Sequence, residues 1–253
     1  MHCQYDQTAL CCFVGADGLD IDSSTAVTVQ DSDFFAHDDG IALKSGKDWW
    51  GRHVGKSTEN VLIENVRSHS FVGAALAVGS ETSGGIRNVT VRRFNVAGTE
   101  LGLSIKTERG RGGTIEDCLF ENVTIRGTGC AALQLNMQYH LGIPVGNATT
   151  TPVVRNIRFK DIDATGVVSH PGFCVPLGVT ADTEVEKGAL IGSQSFAIFK
   201  GIDESPLRGV VLENVRLSGP GEFTSASAVQ CVDATVQSIA FDVDGKPAVV
   251  ECQ

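Results

Sequence analysis

The stretch NVLIENVRSHSFVGAALAVGS, residues 60–80, holds two short apolar runs divided by a gap of small and polar residues. The first opens on Asn60 with Val61 and Ile63 alternating against polar neighbours. The second, AALAVGS at 74–80, is shorter and carries no charge. Alternation with a period of two, rich in β-branched residues, is the pattern of a strand. The first phrase returns along the chain: AVTVQDSDFF from Ala26, NVTVRRFNVAG from Asn88, NVTIRGTG from Asn122, NIRFKDIDATG from Asn156 and VVLENVRLSG from Val210. With Asn60 included, the starts are nearly evenly spaced as far as Asn156, and the last interval, to Val210, is much longer. The second phrase returns between them, as GIALKSG (40–46), LGLSIKT (101–107), AALQLNM (131–137) and FAIFKG (196–201).

A repeating two-strand unit has few solutions. A sandwich needs hairpins with Asn-Gly or Asp-Gly turns. Only Asp17-Gly18, Asp39-Gly40 and Asp244-Gly245 qualify, and the first two do not join matched runs. Helical periodicity is nearly absent. A propeller blade needs four strands per repeat, and two or three are visible here. The pattern therefore predicts an all-β parallel β-helix, each coil pairing with the coil above and below while Val and Ile stack inside. The last interval, with SHPGFCVPLG and DTEVEKG, reads as a long loop or a coil with an insertion. We expect a single β-helix domain over 1–253, with the chemistry between about 13 and 218 and end regions at 1–12 and 219–253.

With 253 residues and 20% charged side chains, the chain can bury a sizeable core and is not of disordered composition. A net charge of −10 and no basic stripe argue against nucleic acid. No apolar run of about 20 residues is present, so no membrane helix is expected. The early apolar piece ALCCFVGA lacks a basic leader and does not read as a signal peptide. Eight cysteines occur without CxxC or Cys/His ligand spacing, so zinc is not expected. They are either buried free thiols or, in a secreted protein, disulfides, with Cys231–Cys252 one candidate. Sequons at Asn88, Asn122 and Asn147 lean towards secretion; the first two fall inside predicted strands, and Asn147 falls in a predicted loop.

The segment FFAHDDGIALKSG, residues 34–46, places Asp38 and Asp39 side by side between apolar runs. The step back from this pair to Asp17 is the length of one minimal coil. Adjacent strands lie about 4.8 Å apart, so Asp17 is expected directly over the pair. Three carboxyls that close cannot all ionise cheaply, so an acid and a base coexist near neutral pH. That is the equipment for cleaving a glycosidic bond. Turn aspartates and a calcium site are the other readings of the same cluster.

ADGLD, DDGIALKSG, GSETSGGIRNV and SIKTERGRGG, in that order and spacing, resemble the signature segments of the polygalacturonases, glycoside hydrolase family 28. GIDESPLRGVVLENVRL resembles that family's closing coil, so the likeness runs from about residue 15 to about 218. DGLDIDSS and GSETSGG look most like its exo-acting and plant-type branches. The resemblance implies a right-handed parallel β-helix and inverting hydrolysis of α-1,4-linked galacturonic acid, with no metal or other cofactor. It also implies a polysaccharide partner, pectin or polygalacturonate, and an extracellular or cell-wall setting for a monomeric enzyme. By its pattern Asp38 is the general acid, Asp17 and Asp39 hold and activate the water, Lys106 grips a substrate carboxylate and Tyr139 lines the cleft.

The chain also departs from that pattern. Counted back from Gly79-Ser80-Glu81, the family histidine falls on Gly73, and the family arginine falls on Ser104. Gly15-Ala16 stands where Asn-Thr is usual. Little of the chain precedes Asp17, where family members carry several more coils, so the chain is expected to be a fragment or a truncated relative. Lys44, Arg52, Arg109 and Arg111 are candidates to supply the missing positive charge to the substrate, and His37, His53 and His140 to supply an imidazole. Trp49-Trp50, in a predicted loop after the acids, is either a sugar-stacking platform or rim packing. The alternatives to a hydrolase are a carbohydrate-binding pseudoenzyme on the same helix and a calcium-dependent pectate lyase.

Overall fold

The computed structural model describes residues 15–139, 150–167, 196–219 and 229–252. Along the chain run β1 (Leu19–Asp22), β2 (Thr25–Ala36), β3 (Ile41–Lys44), α1 (Asp48–Val54), β4 (Thr58–Ser70), β5 (Ala74–Gly79), β6 (Ile86–Lys106), β7 (Thr114–Asn136) and β8 (Val153–Val167). They are followed by β9 (Ala197–Lys200), β10 (Leu207–Leu217), β11 (Val229–Val232), β12 (Ala234–Val243) and β13 (Lys246–Pro247). Apart from the β12–β13 hairpin, every pairing between these strands is parallel. This is the parallel β-helix that the repeat predicts.

Two files of strands make its faces. The long face stacks β2, β4, the first part of β6, the first part of β7, β8, β10 and β12. The short face stacks β1, β3, β5, the ends of β6 and β7, β9 and β11. Strands β6 and β7 run through both faces, which is why they exceed twenty residues. Inward positions stack like on like: Leu43, Val78, Ile105, Leu135 and Phe199 form one such column. A single apolar cluster extends from Ile21 to Val250. At roughly 25 cal/mol per Å² of apolar surface removed from water, such columns are the main stabilising term.

The long face bends at two corners per coil, and both corners hold positive φ. Ala26, Asn60, Asn88, Asp117 and Asn156 occupy the first; Asp31, Asn65, Arg93, Asn122, Asp161 and Asn214 occupy the second. Asn and Asp tolerate this left-handed conformation better than other side-chain-bearing residues. Neighbouring corners are also bonded to one another: Asn88 Nδ2 donates to Asn60 Oδ1 (2.6 Å), Asn156 to Asp117 (3.1 Å), Asn65 to Asp31 (2.5 Å) and Asn214 to Asp161 (2.6 Å).

This corrects one alignment. The sequence reading sets Asn122 against Asn88. The observed register sets Asp117 there, and Asn122 belongs to the second corner. The coils are therefore less even than the repeat suggests: the first corner advances by 28 positions from Asn60 to Asn88 and by 39 from Asp117 to Asn156. The slip arises because both corners favour the same residue type. The sequon residues Asn88 and Asn122 lie in β6 and β7 as expected, but at exposed corners; Asn147 lies outside the described residues.

Cys231 and Cys252 form a disulfide, with Cα atoms 4.6 Å apart, and Cys130 is disulfide-bonded too. Among the described cysteines only Cys118 is a free thiol; it is buried, and burial pushes it up to about 12. The free-thiol reading thus holds for Cys118 and fails for Cys130, Cys231 and Cys252. The other four cysteines lie outside the described residues. No helix among the described residues is long and apolar enough to cross a membrane.

Candidate active site

Before β6 and β7, the short face meets the long face at a tight turn, and the three turns there are tied together. Gly18 N–H donates to the Asp39 carbonyl (2.9 Å), Asp38 N–H to the Ala16 carbonyl (3.0 Å) and Gly40 N–H to the Ala74 carbonyl (2.8 Å). The register Leu19↔Ile41, carried back by two positions, sets Asp17 against Asp39. Carboxylate oxygens of Asp17, Asp38 and Asp39, one from each, all lie within 4.8 Å of one another. The two faces and the coil pitch therefore bring together the three acids singled out in the sequence.

Their surroundings differ. Asp17 Oδ1 accepts the Asp39 N–H (3.1 Å), and its Oδ2 pairs with Lys44 Nζ (2.8 Å), which also pairs with Asp20 (2.7 Å). Asp39 is buried; its Oδ1 accepts the Ala74 N–H (2.8 Å) and its Oδ2 pairs with Lys106 Nζ (2.7 Å). Asp38 has no ion pair among the described residues. Burial, and then the neighbouring Asp39 charge, raise its carboxyl above the usual range, against a smaller opposing pull from Lys106. One carboxyl therefore keeps its proton to higher pH than an ordinary aspartate, beside two that are ion-paired. The same three oxygens would suit a cation, but Lys44 and Lys106 already neutralise two of the acids.

Lys106 comes from the end of β6, and Nζ also lies 5.3 Å from the centroid of the Tyr139 ring. Burial opposes its charge, yet Asp39 and its hydrogen bond hold the ammonium above the ordinary lysine range. Tyr139 is half-buried, and burial raises its phenol. Lys44, expected to add positive field for substrate, has two carboxylates as partners. Ser104 is buried and donates to Gln134 Oε1 (3.0 Å).

Position 73 admits no side chain. A Cβ there would stand 2.6 Å from Asp38 C and Asp39 N and 2.7 Å from Asp38 Oδ1. The absent histidine cannot be restored at Gly73 without moving the acids. None of the described substitutes takes its place. His37 Nδ1 accepts the Gly15 N–H (3.0 Å) and its ring faces Phe71 (5.6 Å); His53 stacks on Trp49 (4.9 Å). His140 lies outside the described residues.

The three arginines are likewise engaged elsewhere. Arg111 is fully buried and pairs with Asp48 (2.5 Å) and Glu108 (3.0 Å), so it is not a solvated surface charge. Arg52 donates to the carbonyls of Gly110 and Arg111, and Arg109 pairs with Asp203 (2.9 Å) and Glu204 (2.6 Å). Trp49 and Trp50 lie on α1 rather than in a loop. That helix ends at Gly55, whose left-handed φ of 62° places its N–H on the Gly51 carbonyl. Both rings are largely exposed, at 41% and 66%.

The structure adds one residue that sequence reasoning missed. Glu100 faces the same cluster: burial pushes it up to about 8, reinforced by Asp38 and Asp39 and opposed by Lys106. It sits in VAGTELG, where nothing but its charge between small residues marks it.

Comparison with known proteins bears on the family and the fold. The model of the family "Glycosyl hydrolases family 28" matches residues 10–182. A "Probable polygalacturonase" of Vitis vinifera is 32% identical over 154 residues, 60% of this chain and 31% of its own. A "Probable endopolygalacturonase B" of Aspergillus kawachii is 27% identical over 157 residues, 62% of this chain and 40% of its own. Among solved structures, a hyperthermoactive exopolygalacturonase from Thermotoga maritima superposes with a TM-score of 0.70 at 23% identity, over 91% of this chain and 44% of that one. A family 28 exopolygalacturonase of Yersinia enterocolitica gives 0.61 at 16% identity, over 92% and 37%. The chain thus spans between about a third and under a half of the length of these relatives. The family match covers well over half of the chain, and the fold and the clustered aspartates accord with it: the protein belongs to glycosyl hydrolases family 28.

Proposed function

We propose that this chain carries the hydrolytic centre of a polygalacturonase that cleaves galacturonic-acid linkages in pectin. The observation that supports this most is the difference among three adjacent carboxyls: Asp17 and Asp39 are ion-paired, while Asp38 has no ion pair among the described residues and a raised pKa. In this reading Asp38 gives its proton to the glycosidic oxygen of the leaving sugar. Asp17 and Asp39 hold a water and draw its proton as it attacks the anomeric carbon. Lys106, with donors left over from Asp39, meets a substrate carboxylate beside Tyr139.

Two-carboxylate inverting enzymes separate acid from base by about 6.5–9.5 Å, and retaining ones by about 5–5.5 Å. Here one oxygen from each acid lies within 4.8 Å of the others, a nearest-atom spacing shorter than the distance between the carboxyl groups themselves. A third carboxylate changes the geometry, since the water is held by a pair and not opposite a single base. We therefore keep inversion, and the anomer first formed tests it.

The experiment is reducing-sugar release from polygalacturonate, with proton NMR of the early product. The expected outcome is a β-anomer from the α-linked polymer, and a loss of about 10²–10⁴-fold in rate for Asp38→Asn. Equal background rates from both proteins would return the chain to a binding role. An unsaturated, ultraviolet-absorbing product would make it a lyase. We further read the chain as one domain acting as a monomer in an extracellular or cell-wall setting. The continuous core and the disulfides of Cys130, Cys231 and Cys252 support that reading.

A further inference from the structure

The outward positions of the short face form files along the helix axis. In one file Gly79, Lys106, Asn136, Lys200 and Val232 are each register-paired with the next. Asp22 heads it, register-paired with Lys44, which directly follows the pairing of Leu43 with Val78. In that direction the face changes character. Acids crowd its first two coils, at Asp17, Asp20, Asp38 and Asp39. From Lys106 onward the outward strand positions are Gln134, Asn136, Ile198, Lys200, Gln230 and Val232, with no carboxylate among them.

Lys200 differs from the two lysines before it. Lys44 and Lys106 each pair with carboxylates. Lys200 has no ion pair among the described residues, although it is half-buried. Burial lowers its pKa, and no partner among the described residues compensates. The nearest acids along the chain, Asp203 and Glu204, are held by Arg109. On a chain of net charge −10, a half-buried ammonium with no ion pair among the described residues is costly unless something anionic completes it. It lies two strand spacings past Lys106, or about 10 Å.

We propose that Lys200 is a second carboxylate-binding residue, which meets a uronate sugar further along the same chain whose nearer carboxylate is held by Lys106. The inference rests on the pectic reading above and deepens it. It assigns a direction: the polyanion extends from the aspartates towards the C-terminal coils, over strand positions free of acids, and not back across Asp20.

The test is titration calorimetry of galacturonate oligomers of increasing length, with the full chain in an Asp38→Asn background so that nothing is cleaved. Affinity should rise once the oligomer is long enough to span both lysines. Lys200→Gln should weaken the hexamer by roughly 5–30-fold and the dimer by less than about 2-fold, with the loss shrinking as salt is raised. Lys200→Arg should recover most of the hexamer affinity. Equal hexamer affinity for Lys200→Gln and its parent overturns the proposal alone, as does an equal loss for dimer and hexamer. A parent that binds no galacturonate oligomer overturns both this proposal and the pectic assignment.

Discussion

At the scale of single residues, the site is a contest between burial and pairing. Asp38 loses solvation and, among the described residues, gains no lysine of its own, so its carboxyl is held above the usual range. If it is the acid, rate must fall as pH rises through its elevated pKa, because the ionised form has no proton to give. A pH–rate profile of kcat should show that alkaline limb. Glu100 makes a separate stability prediction. Its folded pKa of about 8 lies above an unfolded value near 4.5. The folded state therefore binds the proton more tightly. Its contribution is fully present below about pH 4.5 and is lost as pH rises towards 8, by up to about 5 kcal/mol. Urea midpoints of the wild type and Glu100→Gln should therefore diverge over that window, with the variant the flatter of the two. Gly73→Ala places a methyl group within 2.7 Å of Asp38; we expect a loss of activity from displaced acids, readable in kcat.

At the scale of elements, the corners and the buried clamp on α1 matter most. Asn65 holds a left-handed corner and donates to Asp31. Asn65→Val should cost about 1–2 kcal/mol for the conformation and about 1 kcal/mol more for the hydrogen bond. Asn65→Gly should lose only the second part, and denaturant curves of the two separate these causes. Arg111 ties α1 to the loop after β6 through Asp48 and Glu108. Arg111→Met removes the buried guanidinium that pairs with both carboxylates, so a loss of about 3–5 kcal/mol is expected, measured by the same denaturant curves. This scale also shows what could be read from the sequence. The strands were legible because Val61, Ile63, Val89 and Val91 alternate against polar neighbours. The Asn122 register was not, because two corners close together in the chain favour the same side chain. α1 was hidden by its length: seven residues carry no helical period to detect.

At the scale of the whole molecule, the acids were legible because a minimal coil has nearly fixed length, so Asp17 and the 38–39 pair had to stack. The fates of Lys44, Arg109 and Arg111 were not, because ion-pair partners arrive from other coils: Arg109 meets Asp203 and Glu204 across more than 90 positions. The C-terminal disulfide closes a 21-residue separation. Loop-closure entropy gives it about 3 kcal/mol, and reductant should lower the thermal midpoint of the last coils before that of the first.

The hydrogen-bonded stacking of turns 15–18, 37–40 and 71–74 has a consequence for how such a centre can diversify. The step from Asp17 to the Asp38–Asp39 turn is set by backbone pitch, so exchanges at outward positions away from these turns leave it in place. New specificity has to be written in the outward files beside it, where residues can change without disturbing the reacting geometry.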